Sequence, residues 1–254
     1  MTKVNCPKCH STKLWKLSDS RRKCQKCLYF FRPTLINFRL SWYQINHLIE
    51  YFCLGVPAYR LRFIVSLSRS TIEKFFRFLR QLIYYQSIKK LEEIALSGSI
   101  EMDEALFGGR RKGKRGWGAS GKQMVFGLYK RNGRVVTFPI SSRESPTLIP
   151  LIEKLTKPGS LYFSDDWRAY TSLAVRGNHV VVKKEKGRPI GRNHLNGIEG
   201  YWSYAKHWLY QYRGVPKQYF HLYLKETEFR FNNRNINLIP IVKQLVKGQI
   251  GADN

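Results

Sequence analysis

Acid is scarce beside base in this chain: 17 Asp and Glu stand against 45 Lys and Arg in 254 residues, a formal charge of +28. That excess goes far beyond the needs of solubility and points to an anionic polymer, nucleic acid first, as partner. Long hydrophobic runs are missing too. The opening MTKVNCPKCH has no apolar signal core, and no stretch reaches the roughly 18 uninterrupted apolar residues of a membrane span. The expectation is a cytoplasmic protein with no membrane partner. Cysteine is scarce, five residues in all, and a reducing compartment disfavours spending them on disulfides. No G-x-x-x-x-G-K-[ST] is present, which excludes a P-loop. Aromatics are not scarce: 15 Phe, 15 Tyr and 6 Trp supply apolar surface for packed cores, against a disordered basic tail. The plain alternative on composition is a basic housekeeping protein of the ribosomal kind.

Four of the cysteines fall in two C-x-x-C pairs, Cys6 and Cys9, then Cys24 and Cys27, with fourteen residues between the pairs. Two such thiolate knuckles close a tetrahedral zinc site, and in so short a segment a structural Zn²⁺ replaces the core the segment cannot build. A redox dithiol accounts for one pair and not for two. Lys8, Lys13, Lys16, Arg21, Arg22, Lys23 and Lys26 decorate this ribbon and suit phosphate. Cys53 lies in an apolar helical pattern and reads as a small buried hydrophobe.

From Ser41 to about Tyr85 the apolar spacing is helical, interrupted at Gly55 and Pro57. Ser70 to Glu73 reads as a capping box that opens a third helix. Three helices with a sharp turn before the last suggest a helix-turn-helix, with Arg69, Thr71, Lys74 and Arg77 as groove-reading candidates. The plain alternative is a structural helical trio.

Near Ser99 the period changes. Strand patterns follow at Ile100 to Asp103 and across QMVFGLYKRNGRVVTFPI, with a hairpin turn at Asn132-Gly133. Ser145 and Pro146 open a helix to about Leu155, LYFS at 161 to 164 is a short buried strand, HVVVK at 179 to 183 another, and a long aromatic-rich helix begins near Gly197. Trp202, Trp208, Tyr201, Tyr204 and Tyr210 on that helix read as core packing. This order sets Asp103 on the first strand, Asp165 at the exit of the fourth and Glu199 on a late helix. Three acids converging on one sheet edge of a basic protein suit Mg²⁺, which takes oxygen ligands together with substrate phosphate. Two such ions serve phosphoryl transfer on nucleic acid. The Gly-rich basic stretch GGRRKGKRGWGASGK, with Arg110, Arg111, Lys112, Lys114 and Arg115, reads as a phosphate-contacting loop.

The pieces EMDEALFGG, YFSDDWRAY and HLNGIEGYWSYAK resemble the three blocks of DDE transposases from bacterial insertion sequences, in the zinc-ribbon-containing, ISXO-like family, and the resemblance covers nearly the whole chain. It implies an α/β fold: an RNase H-like mixed sheet flanked by helices, preceded by a small zinc ribbon and a helix-turn-helix-like domain. The expected division is 1–36 ribbon, 37–97 helical DNA-binding domain, 98–235 catalytic domain and 236–254 tail. The resemblance implies Asp103, Asp165 and Glu199 as catalytic residues holding two Mg²⁺, with Mn²⁺ able to substitute. Some relatives use an Asn in the third block, so Asn196 stays open beside Glu199 as third ligand. Lys206, seven residues after Glu199, resembles the family's terminal-DNA contact. The implied partners are double-stranded DNA, as terminal inverted repeats and as target, and a second copy of the chain on DNA. The implied setting is the bacterial nucleoid. Two rivals stay open: a DNA-binding regulator that has lost catalysis, and a structure-specific nuclease of the same fold.

Overall fold

The computed structural model describes residues 6, 8–9, 11–18, 21–31, 40–91, 95–108, 122–165, 170, 177–182, 184–185, 188–189 and 193–250. The chain divides into two compact units, Met1–Leu82 with Asn237–Asn254, and Ile83–Ile236.

In the first unit β1 (Leu14–Lys16), β2 (Arg22–Cys24) and β3 (Phe30–Phe31) form an antiparallel sheet in that order. The twelve-residue α1 (Trp42–Cys53) starts on a full capping box: Ser41 accepts from the Gln44 N–H while the Gln44 side chain accepts from the Ser41 N–H. Its apolar stripe of Ile45, Leu48, Ile49 and Phe52 is buried. A single turn, α2 (Ala58–Leu61), follows. The long α3 (Arg69–Leu91) begins one residue before the expected Ser70, because the capping hydroxyl is that of Ser68, which accepts from the Thr71 N–H at 3.2 Å. Glu73 is thereby left to pair with Arg69 one turn back, at 2.7 Å. The segment assigned to a C-terminal tail carries α7 (Leu238–Ile250), whose Lys243 reaches Glu50 of α1 at 3.3 Å.

The second unit is built on β4 (Ser99–Phe107), β5 (Gln123–Lys130), β6 (Val135–Ile140), β7 (Leu161–Ser164) and β8 (Asn178–Val181), in the order β6-β5-β4-β7-β8. β6, β5 and β4 run antiparallel, joined in part by the turn in which Asn132 takes φ 57°. β7 and β8 run parallel to β4. This is the mixed sheet expected of an RNase H-like fold. One face packs α4 (Ser145–Leu155) through Ile100, Met102, Phe126, Leu128, Leu148 and Ile152. The opposite face packs α5 (Asn196–Tyr210) through Ala105, Phe107, Val125, Ile198, Tyr201 and Trp202. A small hairpin, β9 (Lys184–Glu185) with β10 (Arg188–Pro189), lies between β8 and α5 in sequence.

The free edge of β6 is closed by α6 (Phe220–Asn232). The Glu228 carboxylate accepts from the Thr137 N–H and hydroxyl, both at 2.8 Å, while Lys225 donates to the Thr137 carbonyl at 2.9 Å and to Glu228 at 2.7 Å. Asn232 accepts from the Val135 N–H and donates to its carbonyl, each at 2.8 Å. Side chains thus take the hydrogen bonds that another strand would otherwise make, which is how these buried charges are tolerated.

Candidate active site

Period-2 alternation along β4 sends Glu101 and Asp103 to the α5 face and Glu104 to the α4 face. Asp103 sits opposite Gly127 in the β4–β5 ladder. The glycine is what lets α5 approach: a Cβ there would lie 2.7 Å from the Trp202 ring and 2.8 Å from Ile198. Seated in that gap, the Trp202 indole N–H donates to Asp103 Oδ2 at 3.0 Å. Burial pushes the Asp103 carboxyl up to about 6; bonds from the Glu104 N–H and Trp202 oppose the rise, and the charges of Asp165 and Glu199 add to it. The charges of both acids thus reach Asp103, although among the described residues the only ligand atoms drawn close enough together to hold one ion are those of Cys6, Cys9, Cys24 and Cys27. Asp165 directly follows β7, and Glu199 lies in the first turn of α5. Carboxylate oxygens are the donor type Mg²⁺ takes, and a cation beside Asp103 would relieve the repulsion that helps to raise its pKa.

The entry of α5 is held from across the sheet. Leu195, at its cap position, has no capping side chain. Instead Glu101 accepts from the Ile198 N–H at 3.0 Å, placing a carboxylate on the positive end of the helix. Glu101 is itself held by Arg131 at 2.8 Å, and Arg131 also donates to the His194 carbonyl at 2.7 Å and lies over the Phe163 ring. Gly197 has its own reason: a Cβ would fall 2.1 Å from Tyr129 and 2.9 Å from Glu101. Asn196 is the first residue of α5 and is exposed.

On the other face, burial raises Glu104 to about 7, opposed by the Tyr170 hydroxyl that donates to it and by Arg143, 3.5 Å away. Beside Asp165, the Ser164 hydroxyl meets His179 Nε2 at 2.8 Å, and burial lowers the His179 pKa. Sequence reasoning missed Glu101, Glu104, Arg131 and Tyr170. One signal was available: three acids within EMDE, in a chain so poor in acid, at positions that alternation divides between two buried faces.

The ISXO2-like transposase domain matches residues 95–232, more than half of the chain. The chain belongs to that family. A curated relative from Haemophilus influenzae, described as an uncharacterized transposase-like protein, is 40% identical over 119 residues, 46% of this chain and 97% of its own length. A crystal structure of a pre-cleavage Mos1 transpososome aligns with 86% of this chain and 81% of its own at 10% identity, with a TM-score of 0.22, a likeness too slight to build on.

Within this transposase-family chain the other candidates lie as follows. The Sγ atoms of Cys6, Cys9, Cys24 and Cys27 all fall within 4.8 Å of one another, with Cys6–Cys27 at 3.5 Å and Cys9–Cys24 at 3.4 Å. Tetrahedral Zn–S bonds of about 2.3 Å need S–S separations of roughly 3.8 Å, so the four can hold a zinc ion. Cys53 is half-buried on α1 and outside this cluster. Lys74 is exposed on α3, Arg69 is engaged by Glu73, Thr71 bonds Ser68, and Arg77 is half-buried. Lys206 is exposed on α5 with its ammonium 5.9 Å from the Phe107 ring. Arg110, Arg111, Lys112, Lys114 and Arg115 lie outside the described residues, as does Asp166. Tyr201 and Trp202 are buried as expected of core, but Tyr210, the last residue of α5, is 69% exposed and lies outside the helix's buried set of Ile198, Tyr201, Trp202 and Ala205. No described helix is long and apolar enough to cross a membrane.

Proposed function

We propose that this chain is a transposase that binds terminal inverted repeats of an insertion sequence and catalyses divalent-cation-dependent cleavage and transfer of DNA strands. The observation that carries the proposal is that the charges of Asp165 and Glu199 both bear on the buried Asp103, on the central strand of a +28 chain. In this reading those three carboxylates hold Mg²⁺ or Mn²⁺, with Asn196, the exposed first residue of α5, as the alternative third ligand. Bound cations supply activation of the attacking oxygen and charge neutralisation at the phosphodiester. The protein does the rest. Trp202 fixes the orientation of Asp103, Glu101 and Arg131 fix the first turn of α5 that bears Glu199, and Lys206 binds phosphate along the same helix. The ribbon, with a structural Zn²⁺, and the α1–α3 helices, through Arg69, Thr71, Lys74 and Arg77, hold the repeat, with two copies of the chain serving two element ends.

The test is cleavage of labelled element-end DNA with Mg²⁺ or Mn²⁺, scored beside binding in Ca²⁺. Asp103→Asn, Asp165→Asn and Glu199→Gln are each expected to abolish cleavage and joining while binding persists. Full cleavage by Asp103→Asn overturns the site, and loss in Asn196→Ala with a tolerant Glu199→Gln moves the third ligand to Asn196. Cleavage without joining by the wild type assigns a nuclease instead.

A further inference from the structure

Beyond the carboxylates, where β4 ends and α5 leaves the sheet, lies a cavity of about 580 Å³. Its floor is apolar: Phe107 and Phe220 pack with centroids 5.6 Å apart, beside Leu209. Its rim is cationic, with Lys206, Arg213 and Lys217, and no acidic residue is among the described residues that line it. Tyr210 stands exposed on the same rim. The Arg213 guanidinium lies 4.9 Å over the Tyr210 ring and donates to its hydroxyl at 3.1 Å. Arg213 holds this place at φ 55° and Gly214 follows at φ 125°. A left-handed arginine is an uncommon conformation, and here it fixes a planar cation against an aromatic face in an otherwise open rim.

We propose that this cavity takes one unpaired nucleotide, its base against the aromatic rings and its phosphate against Lys206, Arg213 and Lys217. The exposed Tyr210 ring, beside a fork of cations and above the buried, mutually tilted Phe107 and Phe220, matches a base carrying a phosphate, since stacking tolerates any base and the cations supply the counter-charge. Acidic peptide shares the charge but has no flat ring for the floor. Position strengthens the assignment. Lys206 lies about 10 Å along α5 from Glu199, at 1.5 Å per residue. Phe107 also packs on Trp202 at 5.9 Å, the residue that bonds Asp103, so the floor of the cavity is continuous with the support of the carboxylates. The proposal rests on the DNA-processing reading above and gives it a site for a nucleotide displaced from the duplex.

The probe is a thymidine tetranucleotide bearing one 5-iodouracil, irradiated with the full chain in Ca²⁺ and mapped by mass spectrometry. Cross-linking is expected on the peptide His207 to Arg213. Tyr210→Ala is expected to weaken the tetramer about tenfold and an abasic tetramer of equal charge less than about twofold, with Tyr210→Phe restoring the difference. Protection by dTMP as strong as by unlabelled tetramer assigns the site to free nucleotides, and weaker protection assigns it to a strand. Cross-links confined to other exposed rings such as Trp15 or Phe63, or equal losses for both tetramers in Tyr210→Ala, overturn the proposal. Displacement by tetraglutamate as effective as by tetramer gives the cavity to acidic peptides and overturns it also. Because this assay needs no cleavage, its failure leaves the transposase reading standing, and a cleavage-dead wild type with Tyr210-dependent binding removes only that reading.

Discussion

Asp103 carries a charge that the fold does not welcome. Its carboxyl ordinarily titrates at 3.8 and is pushed up to about 6 here, and neighbouring Glu104 moves from 4.5 to about 7. An acid whose folded-state pKa is the higher one binds more protons folded than unfolded between the two values, so stability falls as pH rises through that window. Without divalent cation, the protein is expected to lose on the order of 3 kcal/mol through Asp103 between about pH 4 and pH 7. Asp103→Asn keeps an acceptor for Trp202 and removes the charge. It is expected to melt above the wild type at pH 8 and level with it at pH 4, measured in Mg²⁺-free buffer; an equal offset at both pH values would speak against the buried charge. The three candidate acids stand out in the sequence because acid is rare in this chain; Asp165 directly follows β7 and Glu199 lies in the first turn of α5, whereas Asp103 sits in the middle of β4. Glu101 was not legible in this way. Its partner, the Ile198 N–H, is 97 residues away, and no local pattern announces a cap borrowed from a neighbouring strand.

Among the elements, the ribbon depends most on what it binds. Its three strands contain two or three residues each, and Trp15, Tyr29 and Phe30 are half exposed. Little apolar surface is therefore buried, and metal must supply the folding energy. Freshly purified, reduced protein is expected to hold one Zn²⁺ per chain. Cys24→Ser is expected to lose it and to release amide protection only in the N-terminal segment, read by metal analysis and hydrogen exchange; metal-free wild type would sink the assignment. Regular elements were readable where one residue type settles them, as in the Asn132-Gly133 turn and the Pro146 start of α4. The entry of α3 was not, since Ser68 and Ser70 are chemically alike and only the chain's path decides which hydroxyl meets the Thr71 N–H.

Charge is the property of the molecule as a whole. If 6 to 10 cations meet phosphate, affinity for random duplex is expected to fall by about 10³ to 10⁵ between 50 and 200 mM salt, with Lys206→Ala lowering the slope by about 0.9. Anisotropy across a salt series measures this, and a flat series would contradict the basic surface as the source of affinity. The pairing of α6 side chains with β6 has a different consequence at this scale. An open sheet edge is a template on which a second chain can lay a strand, and the outcome is fibre or precipitate. At Val135 and Thr137 the template is already filled from within the chain. Copies crowded together along DNA therefore cannot polymerise through this border without first stripping α6 from it.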